Sequence, residues 1–356
     1  MKFKLAILAA SVALSANAIA ADNEATVDQG GTNNVLNAHQ LGLGNTANLQ
    51  QSGWNSTTEL LQKGQYNDAD VDQSGMDESA DIYQTGYKNE SSTTQEGYGN
   101  DLVSVQKGQR NESDVTQSGM NGKVDIYQGG YRNESEVEQG GRDNSVVSVQ
   151  KGQYNDSEVS QSGHRNLADI YQAGYDNESR VMQGDGYGNN ATVVQKGQYN
   201  SSEINQEGIK ASADVYQAGY ANESSITQGS YKNVADIVQK GEFNTSEVVQ
   251  TAKENMADVY QAGYDNYSSI EQTRWRNSAK VVQKGTENSA EILQEGINDV
   301  ASIYQQGYDN YAAINQDTVG LGTLARNYAE IVQSGYGNSA TINQSGGYNN
   351  AYVYQN

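Results

Sequence analysis

The chain contains no cysteine and no proline. Without cysteine, neither disulfides nor thiolate metal sites can brace it. Without proline, every residue keeps a backbone N–H that can join a hydrogen-bond ladder. Phe, Trp and His occur twice each, and the hydrophobic fraction is only 35 %. That is too lean for a conventional large core in 356 residues. Beyond the first twenty residues there is no apolar run long enough to span a bilayer as a helix. Positive charge is scarce as well: the formal net charge is −22. Nucleic acid as a partner is excluded on that ground, because phosphate binding needs basic patches.

The start of the chain differs from the rest. Lys2 and Lys4 precede a run from Leu5 to Leu14 that is apolar except for Ser11, and Ala18-Ile19-Ala20 offers a small-x-small cleavage site. Residues 1–20 read as a secretory signal peptide. Residues 21–356 then form a single repeat domain, exported, without a membrane anchor and soluble as a monomer.

What fills the rest is one glutamine every eleven residues, from Gln29 to Gln355, thirty in all. Two intervals differ: Gln183 to Gln195 is twelve and Gln316 to Gln333 is seventeen. A period this strict marks a repeat architecture. Four places before each Gln stands Ala or Ser in 25 of 30 units, and two places before stands Val or Ile in 24 of 30. With the Gln, these residues share one face of a strand of about five residues, while polar and aromatic residues take the other. Gly follows two places after Gln in 24 of 29 intervals, and Asn five places after in 22 of 29. Gly supplies positive φ, and Asn tolerates a left-handed backbone or bonds its own main chain.

Successive units alternate in kind. Ser fills the small position in one set (Ser91, Ser113, Ser135) and Ala, Val or Leu in the other (Ala80, Leu102, Val124). The true repeat is therefore 22 residues, one strand for each of two sheets. The expected fold is all-β: a two-sheet β-solenoid, or cross-β stack, of about fifteen strand-turn-strand rungs, about 70 Å long at roughly 4.8 Å per rung. The segment near 317–326 reads as a loop insertion. A beat near forty-four overlies the repeat, with Tyr83, Tyr127, Tyr171, Tyr216, Tyr260 and Tyr304 alternating with Lys63, Lys107, Lys151, Lys196, Lys240 and Lys284 on one outer face.

A buried amide needs partners at both ends, and stacking in register provides them. The candidate ladder of inward amides comprises Gln84, Gln95, Gln106, Gln117, Gln128, Gln139, Gln150, Gln161 and Gln172, with Asn89, Asn111, Asn133, Asn155 and Asn177 at the turns. The candidate assembly edges are Ala25, Val27 and Gln29 at one end and Ala351, Val353 and Gln355 at the other. Both carry the full pattern with no polar cap, and open edges recruit strands. Outward carboxylates fall on adjacent rungs: Asp214, Asp236 and Asp258 with Lys280 next, and Asp114, Glu136 and Glu158 on the other sheet. They read as an ordinary solvated face; the alternative is that they are gatekeepers, whose repulsion delays assembly until low pH or divalent cations relieve it.

The unit S/A-x-V/I-x-Q-x-G-x-x-N, joined as Asn133-x5-Gln139-x4-Asn144-x5-Gln150, closely resembles the curlin repeat of bacterial curli amyloid fibres. The resemblance covers nearly all of residues 22–356. It implies export through the periplasm, passage through an outer-membrane secretion pore with the help of chaperones, and self-assembly at the cell surface. The implied product is an extracellular fibre serving adhesion and biofilm matrix, with the chain itself and possibly a second curlin-type subunit as partners.

An enzyme is not expected. His39 and His164 are far apart in sequence, and the carboxylates lie on outward ladders rather than converging on a cleft. No catalytic, metal or cofactor site is read from the chain. The competing reading is a soluble monomeric β-solenoid adhesin.

Overall fold

The computed structural model describes residues 22–318 and 326–356, together with the backbone of Ser11–Leu14. The described residues form two compact units, 1–165 and 166–356. Both are built from parallel strands of two alternating lengths, and no helix occurs among the described residues.

In the first unit, nine-residue strands such as Ser79–Tyr87, Asp101–Gln109 and Lys123–Tyr131 pair in one sheet. Six-residue strands such as Glu90–Gln95, Glu112–Gln117 and Glu134–Gln139 pair in the other. The second unit repeats the scheme, with long strands from Leu167–Tyr175 to Tyr328–Tyr336 and short ones from Glu178–Gln183 to Ser339–Ser345. The chain is thus an all-β, two-sheet solenoid; its described residues hold fifteen short strands in one sheet and, in the other, fourteen nine-residue strands with Asn350–Gln355 and Ser11–Leu14, and regular partners are 22 residues apart. Ser11–Leu14 pairs in parallel with Val35–Ala38; the rest of the expected signal peptide lies outside the described residues.

Register is the same in the described pairs of repeat strands within each unit. Gln106 stands opposite Gln128 and Gln117 opposite Gln139, with Val115 beside Val137 and Ser113 beside Ser135. Residues alternate buried and outward along each strand, as in Glu112–Gln117, whose Ser113, Val115 and Gln117 are buried. A slip of one residue would turn every Val and Gln outward and bury the carboxylates, so the pattern itself fixes the register. The core is a thin sandwich of Ala, Ser, Val, Ile and Gln, which is why 35 % apolar residues suffice.

Two local expectations need correction. The strands are six and nine residues long, not about five. After each Gln of the long strands the chain continues through a glycine at φ near +125°, as at Gly64, Gly86 and Gly108, and the ladder runs on for three residues. These glycines also stack closely: a Cβ on Gly86 would lie 1.9 Å from the Gly108 carbonyl oxygen. Only glycine fits this column. Second, the turn Asn is not the left-handed residue. Positive φ belongs to the residue just before it, such as Lys88, Arg110 or Arg132. The Asn side chain is committed inward, so the turn's strain falls on its neighbour.

Both irregular intervals are absorbed without loss of register. The extra residue after Gln183 is taken up in the turn, and Gln183 still meets Gln206 at 2.9 Å. The longer insertion lies largely outside the described residues, yet Gln316 meets Gln344 at 2.9 Å across it.

Candidate assembly surface

The inward amides form continuous hydrogen-bonded columns. On the long strands of the first unit, Gln84 Nε2 donates to Gln106 Oε1 at 2.9 Å, Gln106 to Gln128 at 2.9 Å, and Gln128 to Gln150 at 2.9 Å. On the short strands, Gln95 donates to Gln117 at 2.8 Å, Gln117 to Gln139 at 3.0 Å, and Gln139 to Gln161 at 3.0 Å. In the second unit, Gln172 donates to Gln195 at 2.9 Å and Gln195 to Gln217 at 2.9 Å. Each Nε2 uses its second hydrogen on backbone: Gln84 reaches the Asp68 carbonyl at 2.7 Å and the Asn89 carbonyl at 3.2 Å. One side chain therefore ties its own turn, the facing strand and the next rung together. All the donations run from lower to higher residue number.

The turn asparagines after the long strands make a second column running the opposite way. Asn111 Nδ2 donates to Asn89 Oδ1 at 3.1 Å, Asn133 to Asn111 at 3.0 Å, and Asn155 to Asn133 at 2.9 Å. The same Oδ1 also accepts the next backbone N–H, as Asn89 does from Asn111 at 3.2 Å. In the second unit Asn200 donates to Asn177 at 2.9 Å. An Asn reads as a better residue here than any other because its short amide reaches both backbone and side chain of the adjacent rung.

The two edges of the solenoid differ. The edge after the long strands carries Asn at every described turn, from Asn45 to Asn338, and Gly from Gly42 to Gly335. On the other edge, Ser56, Glu78, Gly122, Ala211 and Asp299 replace the Asn, and Ser230, Ala252, Arg274 and Thr318 replace the Gly. There most asparagines bond backbone instead of one another: Asn144 Nδ2 donates to the Gly140 and Gly163 carbonyls at 2.7 and 3.0 Å. Two carboxylates are buried in this edge. Glu78 accepts from Gly97 N at 2.6 Å, Gly75 N at 3.2 Å and Asn100 Nδ2 at 3.4 Å, and burial pushes its carboxyl above the usual value against those bonds. Asp299 accepts from Thr318 and from Asn327 N, but its Oδ2 is buried with no partner, and burial raises its carboxyl too.

The outer faces carry ladders of their own. Tyr83 lies between Lys63 and Lys107, each ammonium 5.8 Å from the ring centre, and in the second unit Lys240 sits between Tyr216 and Tyr260 at 6.0 and 5.6 Å. The forty-four-residue beat is thus a cation–π column. At the invariant edge of the second unit, Tyr175, Tyr199, Tyr220, Phe243 and Tyr264 form an edge-to-face series with centres 5.3 to 5.5 Å apart. Sequence reading missed this series; its signal is an aromatic three or four places after the Gln of successive long strands. Asp214, Asp236, Asp258 and Lys280 occupy successive rungs, and so do Asp114, Glu136 and Glu158. Burial, then the neighbouring carboxylates, raises the Asp236 and Glu136 carboxyls. Lys280 relieves its neighbour by pairing with Asp258 at 2.7 Å.

The end strands are half covered. Ala25, Val27 and Gln29, and likewise Ala351, Val353 and Gln355, are partly exposed, whereas their counterparts on inner rungs are buried. Gln29 Oε1 is enclosed yet accepts nothing, because the ladder donates away from it, to Gln51 at 2.6 Å. Among the described residues no three His, Cys, Asp or Glu side chains converge to hold a metal ion. His39 lies beside an open groove of about 550 Å³ on the long-strand face, and His164 lies in a turn on the variable edge.

The geometry defines a class: a parallel two-sheet solenoid held, within each unit, by inward amide columns that repeat from rung to rung. The family model for the curlin associated repeat matches residues 54–86, 233–263 and 325–356, so curlin-type repeats occur in both units. A search of curated proteins finds no match.

Proposed function

We propose that the protein is a secreted structural subunit that adds rung on rung to copies of itself, forming extracellular curli-like amyloid fibres for cell adhesion and biofilm matrix. The curlin repeat implies a curli-type fibre subunit. The observation that carries the reading is the common direction of the glutamine columns. Every rung presents acceptors to the rung before it and donors to the rung after it, so a rung of one copy is chemically equivalent to the next rung of another. The buried, unpaired Oε1 of Gln29 is an acceptor that such a rung would satisfy, and the strands of Ala25, Val27 and Gln29 and of Ala351, Val353 and Gln355 are the assembly edges. Residues 1–20 are read as the leader that export removes, which would also clear Ser11–Leu14 from the edge of Val35–Ala38. A second curlin-type subunit, an outer-membrane pore and chaperones follow from the family as partners. The curlin repeat and the β-solenoid are structural in kind, which favours a structural role over an enzymatic one.

The test is purification of residues 21–356, thioflavin fluorescence, electron microscopy and fibre diffraction. Fibres with reflections near ~4.8 and ~10 Å are expected. Protein that stays monomeric with β-type circular dichroism would overturn the reading in favour of a soluble adhesin.

A further inference from the structure

The outer face of the long strands has a two-rung pattern that is independent of the inward ladders. Three outward columns run along it, at three and one places before Gln and one place after. In the second unit, Asp169, Tyr171 and Ala173 make one rung, and Thr192, Val194 and Lys196 make the next. Asp214, Tyr216 and Ala218 follow, and so on to Tyr304. In the second unit Asp169, Asp214, Asp236 and Asp258 lie on one margin, which Thr192 interrupts and Lys280 and Ser302 continue; Lys196, Lys240 and Lys284 lie on the other, and tyrosine alternates with valine along the middle. The first unit carries the same scheme, with Asp81, Tyr83 and Thr85 next to Val103, Val105 and Lys107.

The two charged margins are four residues apart along a strand, about 13 Å, so they cannot pair within the chain. Among the described residues, Lys196, Lys240 and Lys284 make ring contacts but no ion pair. Asp214 and Asp236 stand side by side on adjacent rungs, and no ion pair joins either to a cation among the described residues. Burial holds the carboxyls of Asp169 and Asp236 above the ordinary range. The tyrosine ring faces are flanked along the stack by lysine ammoniums, which leaves ring edges outward and disfavours a stacked sugar as occupant.

A twofold rotation about the stacking direction, centred over the middle column, exchanges the two margins. We propose that this face packs against the same face of a second copy, with the two stacks parallel and offset by one rung. The offset sets each tyrosine rung against a valine-lysine rung. Asp214 then meets a partner lysine, Tyr216 lies against a partner valine, and the small Ala218 makes room. Antiparallel stacks would instead oppose aspartate to aspartate and lysine to lysine, which is repulsive. The occupant is fixed by charge and by size: large against small in the middle, opposite signs at both margins. The groove of about 550 Å³ on the first unit's face, walled by Leu61, Tyr83, Val103 and Val105, is a depression of the kind a partner's tyrosine fills. Each filament is then a laterally paired one, a contact additional to the end-on growth proposed above.

The experiment uses charge reversal on the full mature chain. One variant carries Lys196→Glu, Lys240→Glu and Lys284→Glu; the other carries Asp169→Lys, Asp214→Lys and Asp258→Lys. Lys196, Lys240, Lys284 and Asp214 are exposed and Asp169 and Asp258 half-buried, and circular dichroism checks the fold. Mass per unit length of fibres is measured by scanning transmission electron microscopy. The expected result is a twofold drop for either variant alone and recovery in an equimolar mixture. Lys232→Glu with Lys253→Glu, off this face, leaves the value unchanged. If no fibres form, sedimentation of the soluble chain reads the same contact: a dimer in the wild type, monomers for either variant alone and a dimer in the mixture. Wild-type mass per length in the variants, a mixture that does not recover, or a wild type that neither pairs in fibres nor in solution would overturn the proposal.

Discussion

Replacing Gln239 by Leu isolates the contribution of one amide to the stack. Gln239 Nε2 donates to the Glu223 carbonyl at 2.7 Å, the Asn244 carbonyl at 3.0 Å and Gln261 Oε1 at 3.0 Å, and its Oε1 accepts from Gln217 at 2.8 Å. Leu fills nearly the same volume, so the packing loss is small. What is lost is the hydrogen bonding. Gln261 Oε1, fully buried, is left without a donor, which costs about 1–3 kcal/mol, and the loss on the Gln217 side adds roughly 1. A total of about 2–4 kcal/mol corresponds to a rise in local opening of about 30- to 700-fold. Because a repeat stack opens locally, the assay is amide hydrogen exchange in strands Ser212–Tyr220, Val234–Glu242 and Met256–Tyr264. Gln239→Glu supplies the control. Its carboxylate would face three oxygens, so its folded pKa lies above the unfolded value. The penalty is complete above the folded pKa and is relieved as pH falls through it toward the unfolded value near ~4.3, where one O–H can donate again. Gln239→Glu should therefore recover on acidification, and Gln239→Leu should not. Wild-type protection in Gln239→Leu, or the same pH response in both, would refute the reasoning.

Three further outcomes follow from the geometry. Gly241→Ala places a Cβ 2.0 Å from the Gly263 carbonyl oxygen at φ +115°, so it should cost more than 3 kcal/mol or so and break the stack, whereas Gly229→Ala meets nothing nearer than 3.5 Å and should stay within about 1 kcal/mol; thermal melts of the two variants decide this. Asn222→Ala removes bonds to Asn200 and Gly241 and leaves the Asn244 backbone N–H without its acceptor, so a loss of about 2–4 kcal/mol is expected by chemical denaturation. Asn255→Ala should cost less than half as much, since the Asn255 Nδ2 has no partner. Finally, the carboxyls of Glu112, Glu136 and Asp236 are raised, first by burial and then by neighbouring carboxylates, so their ionisation disfavours the stack above their folded pKa. Fibre growth followed by thioflavin should accelerate between pH 7 and about pH 4; equal rates would remove the carboxylates as a brake.

The stack was legible in the sequence because its physics is local and repeated. A period of two within strands and eleven between glutamines leaves one register that buries Val115, Val137 and Gln117 while keeping Asp114 and Glu136 outside. Three features were not legible from an eleven-residue average. The long strands run on through Gly86 and Gly108 because neighbouring rungs approach too closely for any side chain, a constraint between residues 22 apart. The asparagine column exists on one edge only, and averaging over successive turns mixes Asn111 with Gly122. The burial of Glu78 and Asp299 depends on the backbone N–H groups and hydroxyl around them, which a single repeat does not contain.

The contrast between the edges has a practical consequence. Every replaced turn Asn, every replaced turn Gly and both irregular intervals fall after short strands, including the seventeen-residue interval after Gln316. One edge behaves as a spine whose spelling is fixed, the other as a margin that accepts changes in spelling and length. A foreign peptide placed in the margin, between Gln294 and Asp299 for example, would be carried outward at that rung while the glutamine columns and the spine continue past it.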